Sequence, residues 1–125
     1  MTDGVLALEL QLDDAQASFE PGARLTGVAS WQGGRPPTGM ALELSWAASG
    51  WGGRDLKIVD TVPLASPLPA ERRPFIIALP EGPFTFEGAL IALAWKLELV
   101  AMPGDEKASV ALTIGPGRRA VDLRR

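Results

Sequence analysis

The chain has no cysteine, no histidine and no tyrosine in its 125 residues, and asparagine is missing as well. Each absence removes a chemistry. Without Cys and His there is no thiol nucleophile, no imidazole base and no zinc site of the Cys/His kind. A Ser–His–Asp constellation cannot be assembled. We therefore expect no enzyme, no cofactor and no metal site. The opening "MTDGVLALELQLDDAQ" lacks a basic n-region and has acidic residues among its apolar positions, so a signal peptide is not expected. No stretch approaches the ~20 uninterrupted apolar residues of a membrane span. The longest candidate, 89–101, contains Lys96 and Glu98. A net charge of −3 argues against nucleic acid, whose phosphates call for clustered Lys and Arg. The lack of Cys suits a reducing compartment, and a cytoplasmic location is the expectation.

What the chain has in quantity is Gly (14) and Pro (11), spread at intervals that cut it into short apolar segments. Most of these alternate with period two, which puts one face on a core and one in water. Leu6, Leu8, Leu10 and Leu12 share one parity; so do Met40, Leu42, Leu44 and Trp46. Leu56, Ile58, Val62 and Leu64 share another, broken by Asp60. Phe75, Ile77 and Leu79 follow, and then Ala108, Val110, Leu112 and Ile114. The segment 88–101 is rich in Ala and Leu, which favours a helix by propensity. Yet Ile91, Leu93, Trp95, Leu97 and Leu99 keep strict parity, and a helix would scatter them, so it reads as a long strand. The strands expected are roughly 4–12, 24–31, 39–47, 55–64, 73–79, 89–101 and 107–114, with a short eighth near 120–123. About seven turn-separated strands indicate an all-β fold, an antiparallel immunoglobulin-like β-sandwich. Residues 1–125 read as a single domain with a core over about 5–115 and a short basic tail at 116–125.

Four stretches in this order resemble the N-terminal domain of the arrestin family. "FEPGARLTGVASW" (19–31) resembles a Pro–Gly turn into a Gly-containing strand. "MALELSWAASGWGGRDLKIVD" (40–60) resembles two strands flanking an exposed hairpin loop. "RPFIIALPEGPFTFEGALIALAWKLELVA" (73–101) is similar to the family's strand, Pro-rich bend, aromatic element and long strand with a central aromatic. "KASVALTIG" (107–115) resembles the closing strand. The style is nearer to small bacterial members of the sporulation-control type than to receptor-regulating animal arrestins. The resemblance implies a sandwich and a general role in protein–protein contact, as an adaptor or scaffold. It does not carry over phosphate recognition, since "VLALELQL" offers Glu9 where receptor arrestins place paired Lys. Nor does it carry over a Pro–Pro–X–Tyr ligase motif, since "RPPTG" lacks the Tyr.

The loop "ASGWGGRD" (48–55) is the candidate site. Trp51 among glycines with Arg54 beside it has the composition of a binding hot spot, and the resemblance puts a partner-contacting loop here. Gly50, Trp51 and Arg54 are the residues singled out for binding a protein partner. The bland reading is Trp51 folded back on the sheet. A small-ligand-binding sandwich with a pocket between loops is the alternative function. A homodimer through edge strands or termini would also cover exposed edges.

"GWGG" and "GPG" lack the Lys–Ser/Thr of a phosphate loop. The acidic pairs Asp13–Asp14 and Asp105–Glu106 read as solvated turns. Asp60 reads as a bulge or an edge-strand gatekeeper. Trp31, Trp46 and Trp95 read as core anchors. Residues 1–23 hold five acidic and no basic residues, while the tail has Arg118, Arg119, Arg124 and Arg125. That tail reads as a solvated terminus, or as a contact to acidic partners, lipids or a neighbouring copy.

Overall fold

A computed structural model describes residues 6–50, 53–103 and 106–122. Its strands are β1 (Ala7–Leu12), β2 (Ser18–Phe19), β3 (Arg24–Gln32), β4 (Gly39–Gly50), β5 (Gly53–Pro63), β6 (Ala70–Ala78), β7 (Phe86–Glu87), β8 (Ala92–Met102), β9 (Glu106–Ile114) and β10 (Val121–Asp122). Residues 88–101, ambiguous by propensity, are a strand from Ala92 onward. Pairing and burial decide this, since alternate residues of β8 are packed inside while propensity is only a weak prior.

Two sheets result. One has the order β1–β3–β6 and is antiparallel throughout. The other runs β5–β4–β8–β9, also antiparallel. Short parallel pairings close its ends: β2 lies on β9, and β10 lies on β7, which is itself antiparallel to β8. Their inward faces share one core. Leu25, Ala29, Trp31, Phe75 and Ile77 come from the first sheet; Leu42, Leu44, Trp95, Leu97, Leu99, Leu112 and Ile114 come from the second. Period two in the sequence has become two interdigitated layers, as in aligned sandwiches.

At Gly27 the first sheet is close-packed. A Cβ there would lie 2.5 Å from the Gln11 carbonyl oxygen and 2.9 Å from Phe75 Cζ. Any larger residue in mid-β3 would push β1 or the Phe75 ring outward. The punctuated segment before β8 is pinned by Thr85, which is buried. Its N–H donates to the Ile114 carbonyl at 2.7 Å, and its Oγ1 accepts from the Ile114 N–H at 2.9 Å. Its own carbonyl accepts from the Val121 N–H at 2.8 Å. Trp95 Nε1 donates to the Pro83 carbonyl at 2.8 Å. The aromatic element thus ties the second sheet's far end together.

Of the three expected tryptophan anchors, Trp31 and Trp95 are buried, and Trp46 is half-buried against the core. Trp31 Nε1 donates to the Leu68 carbonyl at 2.7 Å, and the Arg73 guanidinium lies 5.6 Å from its ring centroid. Arg73 also grips Glu71, through Nε at 3.0 Å, and the Ala65 carbonyl at 2.9 Å. This cluster anchors the 64–69 crossover between sheets.

Candidate functional site

The hairpin of β4 and β5 continues up to the Gly50–Gly53 pair, with two residues between. Those two, Trp51 and Gly52, lie outside the described residues, so Trp51, the centre of the sequence-predicted site, gets no structural account. Gly50 and Arg54 are exposed on facing prongs, with Arg54 opposite Ser49. Gly50 is required by a close approach: a Cβ there would meet Ile91 Cγ2 at 2.5 Å and the Leu90 carbonyl at 3.0 Å. The hairpin end and the 88–91 loop therefore lie against each other, around a shallow cleft that includes Phe86 and Asp55. Leu90 and Ile91, both exposed, add an apolar rim.

The flank of the hairpin departs from the sequence reading. Leu56, Ile58, Val62 and Leu64 do not share one face. Pairing shifts between Leu44 and Ser45, so that Asp60 faces Leu44, Ile58 faces Ser45, and Val59 is the extra residue of a bulge. Directly opposed residues share a face. Val62 and Asp60 are therefore on the inward side with Leu42 and Leu44, and Lys57 and Asp55 join it opposite Trp46 and Ala48. Leu56 and Ile58 are on the outward side opposite Ala47 and Ser45. An extra residue reverses the alternation beyond it, because side chains change face at every step.

The inward side of β5 has little to pack on, since the first sheet contains only β1, β3 and β6. All of β5 except Val62 is exposed. Leu56 is 65% exposed and Ile58 51%. Among the described residues β5 pairs with β4 alone, so its other edge is free. Across the outward face, Leu56 continues into Ala47 and then Ala94, and Ile58 continues into Ser45, Lys96 and Ala111. The result is a low, largely apolar strip with Arg54 at one end and Glu43 and Glu98 at the other.

Glu98 is nearly buried on that face. It accepts from Ser109 Oγ at 2.8 Å and pairs with Lys96 Nζ at 3.3 Å. Burial pushes its pKa up, but the Ser109 hydroxyl and Lys96, with help from Lys107, outweigh it and hold the carboxyl below its ordinary value. Glu71 is also held low, by the Leu68 N–H and Arg73. Both carboxylates have structural partners, and neither stands free for proton transfer. Among the described residues no group of three His, Cys, Asp or Glu side chains could hold a metal ion.

The basic tail is not a solvated terminus at Arg118. Its guanidinium pairs with the Asp14 carboxylate and donates from Nε to the Ser18 carbonyl at 2.9 Å. The Gly117 N–H donates to Glu20 Oε1 at 3.2 Å. The acidic start and basic end of the sequence meet within one chain, so Asp14 is a latch partner and not merely part of a solvated turn. Asp105 lies outside the described residues. No helix among the described residues is long and apolar enough to cross a membrane.

No protein-family model matches the chain, and no curated protein matches it by sequence. Its structure is similar to that of Spo0M, a sporulation control protein from Bacillus subtilis, with a TM-score of 0.65 over 90% of this chain at 16% identity. The match takes in 50% of Spo0M, so the chain spans half the length of that neighbour. It also resembles, faintly, the alkylpurine DNA glycosylase AlkC of Pseudomonas fluorescens, solved bound to DNA containing an abasic site analog. There the TM-score is 0.44 and identity 8%, over 89% of this chain and 30% of that one. That likeness is too slight to carry an argument. Two sheets around one core, ordered as described and superposable on half of Spo0M, give this chain an arrestin-like β-sandwich fold.

Proposed function

We propose that the chain is a non-enzymatic protein-interaction module, of adaptor type, that engages a protein partner through the β4–β5 hairpin. Gly50, Trp51 and Arg54 would make the tip of the contact, and Leu56 and Ile58 its flank. The observation that carries the reading is the exposure of β5 along nearly its whole length, with two large aliphatic side chains turned to solvent on one face. Water-exposed Leu and Ile in a row are costly to leave uncovered, at roughly 25 cal/mol for each Å². A free strand edge beside them adds backbone donors and acceptors that a partner's strand can take up. A cytoplasmic setting belongs to the same proposal. The alternative, a small-ligand pocket between loops, has for support only the shallow cleft between the hairpin end and the 88–91 loop.

The test is an affinity measurement with a partner purified after capture from the native host. Trp51→Ala, and separately the double change Leu56→Asp with Ile58→Asp, should each weaken binding about tenfold or more if these are hot-spot contacts. Unchanged affinity in both would sink the proposal.

A further inference from the structure

The edges of the two sheets are treated differently. β6, at the rim of the first sheet, has Pro74 in mid-strand opposite Val28, which removes a backbone donor and blunts that edge. β5 has no proline before Pro63, and from Gly53 to Ile58 it pairs regularly with β4. The bulge begins only at Val59. Six residues of unblocked, regular edge are therefore available, and their sequence, Gly–Arg–Asp–Leu–Lys–Ile, has a charge pattern that selects its own partner.

We infer that the β5 edge takes a second copy of this chain, antiparallel about a two-fold axis through Leu56, with Lys57 of each copy opposite Asp55 of the other. The inference rests on the proposed use of the hairpin flank and names its occupant. A two-fold pairing of a regular strand with itself places one residue on the axis and keeps like faces together. An axis through Arg54, Asp55 or Lys57 would set like charges directly opposite each other, which is destabilising. An axis through Ile58 would run the pairing into the bulge and set Leu56 against Asp60. The axis through Leu56 alone among these pairs Asp55 with Lys57 twice, on the inward side. On the outward side it sets Leu56 against Leu56 of the second copy and lays the aliphatic stem of Arg54 beside Ile58.

The apolar row Ala94–Ala47–Leu56 then runs on into the same row of the second copy, so both exposed leucines are covered at once. Foreign edges lacking this charge order meet an unmatched Asp and Lys, which is how an edge can be open to its own kind and closed to others.

The absence of cysteine gives a clean test. Directly opposed antiparallel residues have Cα atoms about 4.5–5.5 Å apart, within the reach of a disulfide. Leu56→Cys should therefore form a cross-linked dimer under mild oxidation. Ile58→Cys should not, because four residues of offset separate the two sulfurs by about 13 Å. In sedimentation equilibrium the wild-type chain should dimerise, K57D should weaken the dimer about tenfold, and the swap D55K/K57D should restore it. Far-UV circular dichroism of K57D, unchanged from wild type, would show that the single variant is folded. A wild type that stays monomeric at millimolar concentration overturns the inference, as does cross-linking at position 58 in preference to 56. A monomer that still binds another protein through Leu56 and Ile58 refutes this inference while leaving the hairpin reading intact.

Discussion

Trp95→Ala removes the largest of the fully buried side chains. Trp95 is 1% exposed, faces Trp46 on β4 and Leu112 on β9, and reaches the Pro83 carbonyl through its indole N–H at 2.8 Å. Two losses add. Truncating a buried Trp to Ala costs about 3–5 kcal/mol in transfer and cavity terms. The hydrogen bond contributes about 1 kcal/mol, toward the low end because Pro83 is exposed and water can replace the donor. Against a total stability of about 5–15 kcal/mol for a domain, the substitution removes about a quarter or more. With a urea slope of about 1–3 kcal/mol per M, the midpoint should fall by about 2 M. Far-UV circular dichroism should follow the transition, since tryptophan fluorescence changes with the substitution itself. Trp95→Phe, which keeps most of the volume, separates the terms and should cost about 1–2 kcal/mol. A loss under about 1 kcal/mol for Trp95→Ala, at unchanged slope, would refute the packing argument.

Thr85→Val keeps shape but removes the acceptor for the buried Ile114 N–H, and should cost about 1–3 kcal/mol by the same urea titration; a neutral result would mean that another acceptor reaches Ile114. Glu98 has a folded pKa below its ordinary value of 4.5, so its contribution is fully present above that value and is lost as pH falls through the lowered folded one. Glu98→Gln should therefore be less stable than wild type near neutral pH, and the gap should close as pH is lowered from about 6 to about 3. A gap that widens on acidification would contradict the assigned balance of Ser109 and Lys96 against burial.

The fold was legible because burial is local to a strand and repeats every two residues. Leu42 and Leu44, and Leu97 and Leu99, sit where their parity put them. β5 was misread because alternation presumes an unbroken count, and the bulge at Val59 is set by what lies across the sheet. A two-residue link between Gly50 and Gly53 and the pairing at Leu44 cannot both be met by a regular strand of this length. β2 and β7 are two residues each, too short to give a periodic signal. Arg118 and Asp14 were visible as charges, but their meeting spans 104 positions and follows only from the closed sandwich. In the candidate site, the glycine-rich turn and Arg54 could be picked out from the sequence. The need for Gly50 to be bare could not, since it comes from Ile91 arriving from another loop.

The bulge gives the hairpin a tolerance for changes in length at one place. Val59 stands outside the pairing, while Ile58 and Asp60 keep their partners Ser45 and Leu44 on either side. Removing residue 59 would close a regular ladder over the gap and leave every remaining side chain on the face it now occupies. Removing or adding a residue at Gly53 or Arg54 would instead turn Leu56 and Ile58 inward and bring Asp55 and Lys57 to the outer surface. The surface character of this strand is thus set by spacing as much as by residue identity, and scanning by substitution alone would pass over the position that governs it.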